Sequence, residues 1–502
     1  MVDPIRIGVI IGLLAIIAIG FYVSKFVKGK ALNYLLAGRA LPIWWGAAAL
    51  MGQGIDANVT LGNIENVFYT GFWSGLVLPL GLGITLFLTG MFFAEKLNRM
   101  KLLTLIDFFR RVYDRKIEVL TSWITIFAYG ILLAGNLAAV ALLAQSLFGI
   151  PYVLGLIIIA ALIFSYTFLG GLISDTVMDI FYVSLVAIGG ILSVVFFELK
   201  YGILNVLQFD PAITTSLGYS LTQFTNISHG ALINWATIFA LGLGDIVAID
   251  FIARVLAAKT PKIAKKSCLW ASLGYVIVGL LFSLTGIIAI NVFRIEGFIP
   301  GANPVIFDLL FNFTPILVAV FILIAIIGSS MAFSDGAMLQ TSAVITHNLM
   351  GIQLGERVKK GFLAKRERLL ISTRLTLLPV IILGILTAIL LPAPGALLAL
   401  TFDIIFASAF VPFVLGFYWK KANTTAAWWA IWIGMISRIL FFVLTPTIYG
   451  KQNTILYIQN TIFTSTWDGF GTLIAPVIAL VVYIIITLLN KEKRTISSSA
   501  SS

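Results

Sequence analysis

Two stretches of this chain carry the same polar interruption in apolar surroundings. One reads Met51-Gly-Gln-Gly-Ile-Asp56-Ala-Asn58 and the other Leu241-Gly-Leu-Gly-Asp245: two glycines, then an aspartate. A carboxylate set in apolar sequence is costly unless it meets a cation, a proton or a polar solute. Each glycine weakens a helix by about 1 kcal/mol relative to alanine. Opened backbone then offers carbonyls to a cation and half-helix N-termini to an anionic group. The pattern points to a solute and a coupling cation held where two helices are interrupted. Gln53, Asp56, Asn58, Trp235 and Asp245 are the candidate solute contacts, and Gly52, Gly54, Gly242 and Gly244 the expected unwound positions. Close helix packing is the competing use of such glycines. Glu65, Asp175, Asp179, Asp250, Asp335 and Asp403 are further acids in apolar surroundings. For Asp175, Asp250 and Asp403, a place near a helix end or a basic partner explains the charge equally well. Asp250 and Arg254 stand four apart and can pair on one helix.

The elements that must position these residues are membrane helices. The 502 residues are 60% hydrophobic and 11% charged, whereas a soluble domain is about half apolar and a quarter charged. Lipid is therefore the solvent, and the fold class is an all-α polytopic membrane protein. Stretches of ~20 apolar residues place spans at about 7–26, 43–70, 72–94, 119–147, 151–170, 174–198, 231–258, 267–293, 315–347, 370–392, 395–419, 424–445 and 469–490. That makes thirteen spans in a single transmembrane domain, 1–494, with a serine-rich tail, 495–502, expected to be disordered. The first span lacks a basic leader and a cleavage site and reads as a retained helix. The long outer loops are 199–230, 294–314 and 446–468.

Alternate loops hold 27 of the 33 basic residues. The positive-inside rule then puts the N-terminus outside and the C-terminus in the cytoplasm of a cell membrane protein. This topology accounts for the net charge of +12, so nucleic acid is not an expected partner. The partners are a small-molecule solute, a coupling cation and the bilayer. With two histidines, one cysteine, no Gly-x-Ser-x-Gly elbow and no Walker loop, the sequence predicts neither an enzyme nor an ATP-driven pump. No cofactor is expected beyond a coupling ion, Na+ or H+.

Four motifs in order resemble the sodium/solute symporter family. Tyr166-Thr-Phe-Leu-Gly170-Gly171-Leu, with Asp179 further on, is similar to its Tyr-Thr, Gly-Gly-Leu and Asp pattern. Leu35-Leu-Ala-Gly38-Arg39 resembles its opening Gly-Arg motif, and Met331 to Asn348 its ninth helix, rich in small residues. Leu241 to Leu256, and Glu65 before Val67, are similar to the choline-transporter branch. The resemblance implies a leucine-transporter-like core of five plus five helices, at about 43–198 and 231–419, with broken helices and three extra spans. It also implies cation-driven symport by alternating access.

The family's sodium site uses carbonyls at the first break, here Gly52 to Ile55, and two adjacent hydroxyls on the ninth helix. Ala332 and Phe333 fall at those two positions, and neither offers an oxygen. Ser329, Ser330 and Ser334 are the nearby hydroxyls, Asp335 lies beside them, and Asp179 matches the family's inner cation route. The alternative is proton uptake by Asp56 in a low-dielectric cavity. Choline is not implied, because Gly54 and Ala248 stand at the breaks where an aromatic cage would be needed. The expected cargo is a small polar organic solute, amino-acid-like or an organic cation. A sodium-independent uniporter or a transporter-like sensor is the other reading.

Overall fold

Inside a bilayer every backbone polar group must find its partner within the protein, and this chain answers with helices. A computed structural model describes residues 2–202, 207–301, 304–359, 364–391, 394–454 and 456–489; the expected tail, 495–502, lies outside them. The first half contains α1 (Val2–Val23), α2 (Ala31–Leu36), α3 (Ile43–Gly52), α4 (Asn63–Tyr69), α5 (Phe72–Leu88), α6 (Ala94–Met100), α7 (Ile106–Val112), α8 (Arg115–Phe148) and α9 (Tyr152–Tyr201). After a short α10 (Thr222–Thr225) come α11 (Ala231–Phe239), α12 (Ile249–Ala257), α13 (Pro261–Glu296), α14 (Val305–Phe313) and α15 (Ile316–Ala343). The chain finishes with α16 (Arg368–Leu390), α17 (Pro394–Ser408), α18 (Phe410–Tyr418), α19 (Thr424–Leu444) and α20 (Phe470–Leu489).

Among the described residues nine helices are long and apolar enough to cross a membrane, or up to eleven if each bent pair is one span. A count of thirteen also requires dividing α9 at Gly171 and counting the interrupted segment 43–69. Burial ranks the helices: the most apolar window of α8 is 89% buried and that of α15 is 78% buried, against 22% for the first span. The central helices are therefore those carrying Tyr129 and the 329–335 residues. One expectation is corrected here. The loop 294–314 contains a helix, α14, because Pro304 opens it and the Glu65 carboxylate accepts from the Val305 amide at 2.6 Å.

Gly171 divides α9 with φ 50° and ψ −145°. A side chain there is strained whatever its surroundings, and a Cβ would also strike the carbonyl and ring of Tyr34. Tyr34 is held in place by its hydroxyl, which donates to the Thr167 carbonyl at 2.7 Å. Gly171→Ala is expected to cost about 1–3 kcal/mol in backbone strain alone, seen as a lower thermal midpoint of the purified protein in detergent. An unchanged midpoint would mean the backbone is not held in this conformation.

The basic loops meet at one end of the bundle. Arg39 Nη2 donates to the Lys101 carbonyl at 2.9 Å, Leu41 N to Ala257 O at 3.1 Å, and Arg115 Nη2 to Leu349 O at 3.3 Å. The Ala31 amide donates to Glu367. At the same end, Asp107 on α7 accepts from Asn348 Nδ2 at 2.9 Å and lies 3.0 Å from His347 Nε2. Burial alone would push the Asp107 carboxyl up, but His347 and the Leu103 and Thr104 amides hold it below the usual carboxylate range. The largely uncharged loops meet at the other end, where Phe72 N donates to Gly218 O at 2.9 Å and Asn291 Nδ2 to Gln208 O at 3.0 Å.

Candidate functional site

The first interruption follows Gly52, where α3 ends. Residues 53–56 leave the helix, and a π-turn over Asn58–Gly62 leads into α4. The new helix start is capped from within: Val59 N donates to Asp56 Oδ1 at 3.0 Å, and Ala57 N donates to Ser330 Oγ at 2.7 Å. Gly52 and Gly54 are needed for close approach. A Cβ at Gly52 would collide with the Asp179 carboxylate, and one at Gly54 with the Tyr275 hydroxyl. That hydroxyl lies 3.0 Å from both the Leu50 and Met51 carbonyls near the end of α3. Ile55 is buried beside the break, and the side chain of Asn58 lies outside the described residues.

The second interruption separates α11 from α12, which are bent by 48°. Here the expectation for Gly242 and Gly244 is corrected. Both lie in a π-turn, Ala240–Gly244, and the chain leaves helical geometry only at Ala248 (φ −69°, ψ 120°). Their small size serves packing: a Cβ on Gly244 would lie 3.0 Å from Phe406 Cβ and 3.1 Å from Phe402 O, and one on Gly242 3.2 Å from Ile84.

Between the breaks lies a buried charged cluster. Arg254 on α12 is ion-paired with Asp175 on α9, and neither side chain is exposed. Gln53 Nε2 stands 3.4 Å from Asp175 Oδ1 and 3.4 Å from the Ala332 carbonyl. Gln53 therefore faces the acids of this cluster. Asp179 and Asp335 are fully buried, and neither carboxylate has a hydrogen-bond partner of normal geometry among the described residues. Gln53 flanks Asp179 and the Asp175 carboxyl flanks Asp335, while the unpartnered Tyr182 hydroxyl lies in the field of both orphan acids. Gly336 admits the approach, since a Cβ there would fall on Gln53 Oε1 and 3.0 Å from Arg254 Nη2. Three carboxylates against one guanidinium leave an excess of negative charge. Burial of that excess requires a proton or a bound cation.

The hydroxyls near the sodium positions are already engaged. Ser329 Oγ donates to Ile326 O at 3.1 Å and Ser334 Oγ to Ser330 O at 2.8 Å, while Ser330 takes the Ala57 amide. Ala332 and Phe333 are buried on α15 and present no side-chain oxygen. The neighbouring Met331 carbonyl accepts from the Tyr166 hydroxyl at 3.2 Å.

A second acidic centre lies at the α11–α12 break. Asp245 is 1% exposed, and neither carboxylate oxygen has a partner among the described residues. Asp250, in the first turn of α12, accepts from the Tyr129 hydroxyl at 2.5 Å. Arg254 reaches Asp250 only at its backbone carbonyl, 3.1 Å away, so the expected side-chain pair on one helix gives way to the pair with Asp175. Tyr275 lies in the field of Asp250, Asp245, Asp56 and Asp179 together, so it stands between this centre and the charged cluster. Trp235 is not among them. Its ring packs on Phe224 and Phe239, its Nε1 donates to the Phe224 carbonyl at 3.0 Å, and it is 40% exposed. That expectation is corrected: Trp235 sits on the periphery of the bundle. Asp403 is paired with Arg438 at 2.5 Å and accepts from Thr472, so it is a structural ion pair among α17, α19 and α20.

The sequence model of the sodium:solute symporter family matches residues 34–434, which takes in both interruptions and the charged cluster. The chain belongs to the sodium:solute symporter family. It is 25% identical over 429 residues to sodium/proline symporters of Staphylococcus aureus strains, across 82% of this chain and 81% of theirs. Its fold is similar to that of a substrate-bound, outward-open Na+-coupled sialic acid symporter, with a TM-score of 0.75 at 15% identity over 98% of both chains. A closed, bromovinylhydantoin-bound nucleobase-cation-symport-1 transporter, Mhp1, aligns at a TM-score of 0.50 and 15% identity over 91% of this chain and 94% of that one. As a member of the sodium:solute symporter family the protein is a multi-pass membrane transporter of the leucine-transporter fold, working by cation-coupled symport, and not an enzyme.

Proposed function

We propose that this family member carries a small polar organic solute with an amino group or other positive charge, and that its coupling cation is accommodated at Asp179 and Asp335. The observation that carries the reading is the buried excess of carboxylate at the meeting point of the first break, α9, α12 and α15. A helix break, a half-helix bent against it and a buried excess of charge at their junction are the parts alternating access needs. The stretches 43–198 and 231–419 each have an interrupted helix near their start, after Gly52 and at Ala248, which supports the inverted-repeat division of the core. Convergence of the basic loops at one end supports the N-outside, C-cytoplasmic orientation.

Sodium is a poor fit to Ala332 and Phe333, and a proton needs no oxygen cage. The reading is therefore that a proton, bound at Asp179 and Asp335, takes sodium's place. Proteoliposomes given a candidate solute in the external medium separate the cases. Concentrative uptake under an imposed pH gradient, with sodium absent, is the expected result. Strict sodium dependence would leave symport standing and remove the proton. Equilibration without accumulation under either gradient would make the protein a uniporter and sink the coupled mechanism.

A further inference from the structure

Both re-entry points of the broken helices are occupied by the protein's own carboxylates. An N-terminal helix end inside a membrane is the usual cradle for an anionic solute group, because its amides and dipole point at the ligand. Here Asp56 accepts from the Val59 amide and the Ser330 hydroxyl takes the Ala57 amide, so the start beyond the first break is capped. Asp250 lies against the amides of Asp250 and Phe251 at the start of α12 and takes the Tyr129 hydroxyl as well. The basic side chain packed against the second break, Arg254, is committed to Asp175. What remains unsatisfied is an acceptor: the Asp245 carboxylate, 1% exposed and without a partner among the described residues.

From this arrangement we infer that the solute is a monovalent or divalent organic amine that lacks a carboxylate. Asp245 is the counterion for its ammonium group, and Asp56 and Asp250 exclude the carboxylate that a zwitterionic amino acid would bring. A solute carboxylate placed at either half-helix would meet an aspartate already bound there, and the guanidinium in the field of Asp250, Arg254, is already paired with Asp175. An ammonium group meets an unpaired carboxylate in low dielectric, where a charge-assisted contact is strongest. The inference rests on the proposed symport and narrows its cargo from amino-acid-like or cationic solutes to cationic ones.

The test uses matched pairs that differ only in the carboxylate: pyrrolidine and proline, ethanolamine and serine, agmatine and arginine, putrescine and ornithine, histamine and histidine. The full wild-type chain is reconstituted, and each compound is measured by thermal shift and by competition for uptake. At least one amine is expected to bind about tenfold to a hundredfold more tightly than its amino acid, and Asp245→Asn to remove that preference. The wild-type pairs decide the matter even if the variant folds poorly. An amino acid that binds as tightly as the tightest-binding amine overturns the inference. If that amino acid also accumulates under an ion gradient, the proposed symport survives the loss. A panel in which no amine binds overturns the inference as well.

Discussion

Arg254→Leu is expected to cost this transporter most of its folded fraction, and adding Asp175→Asn to restore much of it. Arg254 is among the largest fully buried side chains in the protein, and its guanidinium is the positive charge facing Asp175, Asp179, Asp250 and Asp335. Removing one partner of a buried pair leaves the other charge uncompensated, at a cost of about 3–5 kcal/mol. That is a large share of the ~5–15 kcal/mol by which folded proteins are stable. Removing the Asp175 charge at the same time takes away the orphan, and a neutral asparagine can keep the Gln53 contact. The measurement is the thermal midpoint and the monodisperse fraction of wild type, single and double variants in one detergent. A single variant as stable as wild type would mean the cluster does not depend on Arg254 for its charge balance. The double variant is also expected to lose gradient-driven accumulation, because Arg254 and Asp175 tie the half-helix α12 to α9.

The sequence disclosed the elements better than the partners. Apolar runs of membrane-spanning length gave the helices because lipid leaves the backbone no other option. The Gly52–Gly54 interruption was legible because two glycines and an acid interrupt an apolar run. The same pattern at Gly242 and Gly244 misled, since Phe402, Phe406 and Ile84 approach those glycines from distant sequence and the chain turns four residues later, at Ala248. Arg254 shows the same limit. Local spacing offers it Asp250, while the fold gives it Asp175, 79 residues away. Gln53 and Trp235 were chosen for residue type near a break; which way a side chain faces on an irregular segment, or whether a helix turns it to the periphery, is decided by tertiary packing. Helix α14 hid in a loop because nine residues are too few to span and its start is held by Glu65, 240 positions earlier.

Asp179→Asn is expected to separate solute binding from energy coupling. The substitution keeps the shape of the side chain against Gly52 and removes one negative charge from a group that has no hydrogen-bond partner of normal geometry among the described residues. Stability is therefore expected to hold or rise, and solute binding at the Asp245 end to persist, because Asp245 lies on the other break. The concentrative ratio in proteoliposomes should fall by at least about tenfold, toward simple equilibration, since each tenfold of accumulation needs ~1.4 kcal/mol from the coupling ion. Asp56→Asn is the companion variant. Asparagine caps a helix about as well as aspartate, so the bond from the Val59 amide can remain while the charge is lost. Should Asp179→Asn accumulate solute like wild type while Asp56→Asn equilibrates it, the coupling charge belongs at the helix break. The orphan carboxylates of α9 and α15 would then be structural acids that keep their protons throughout the cycle.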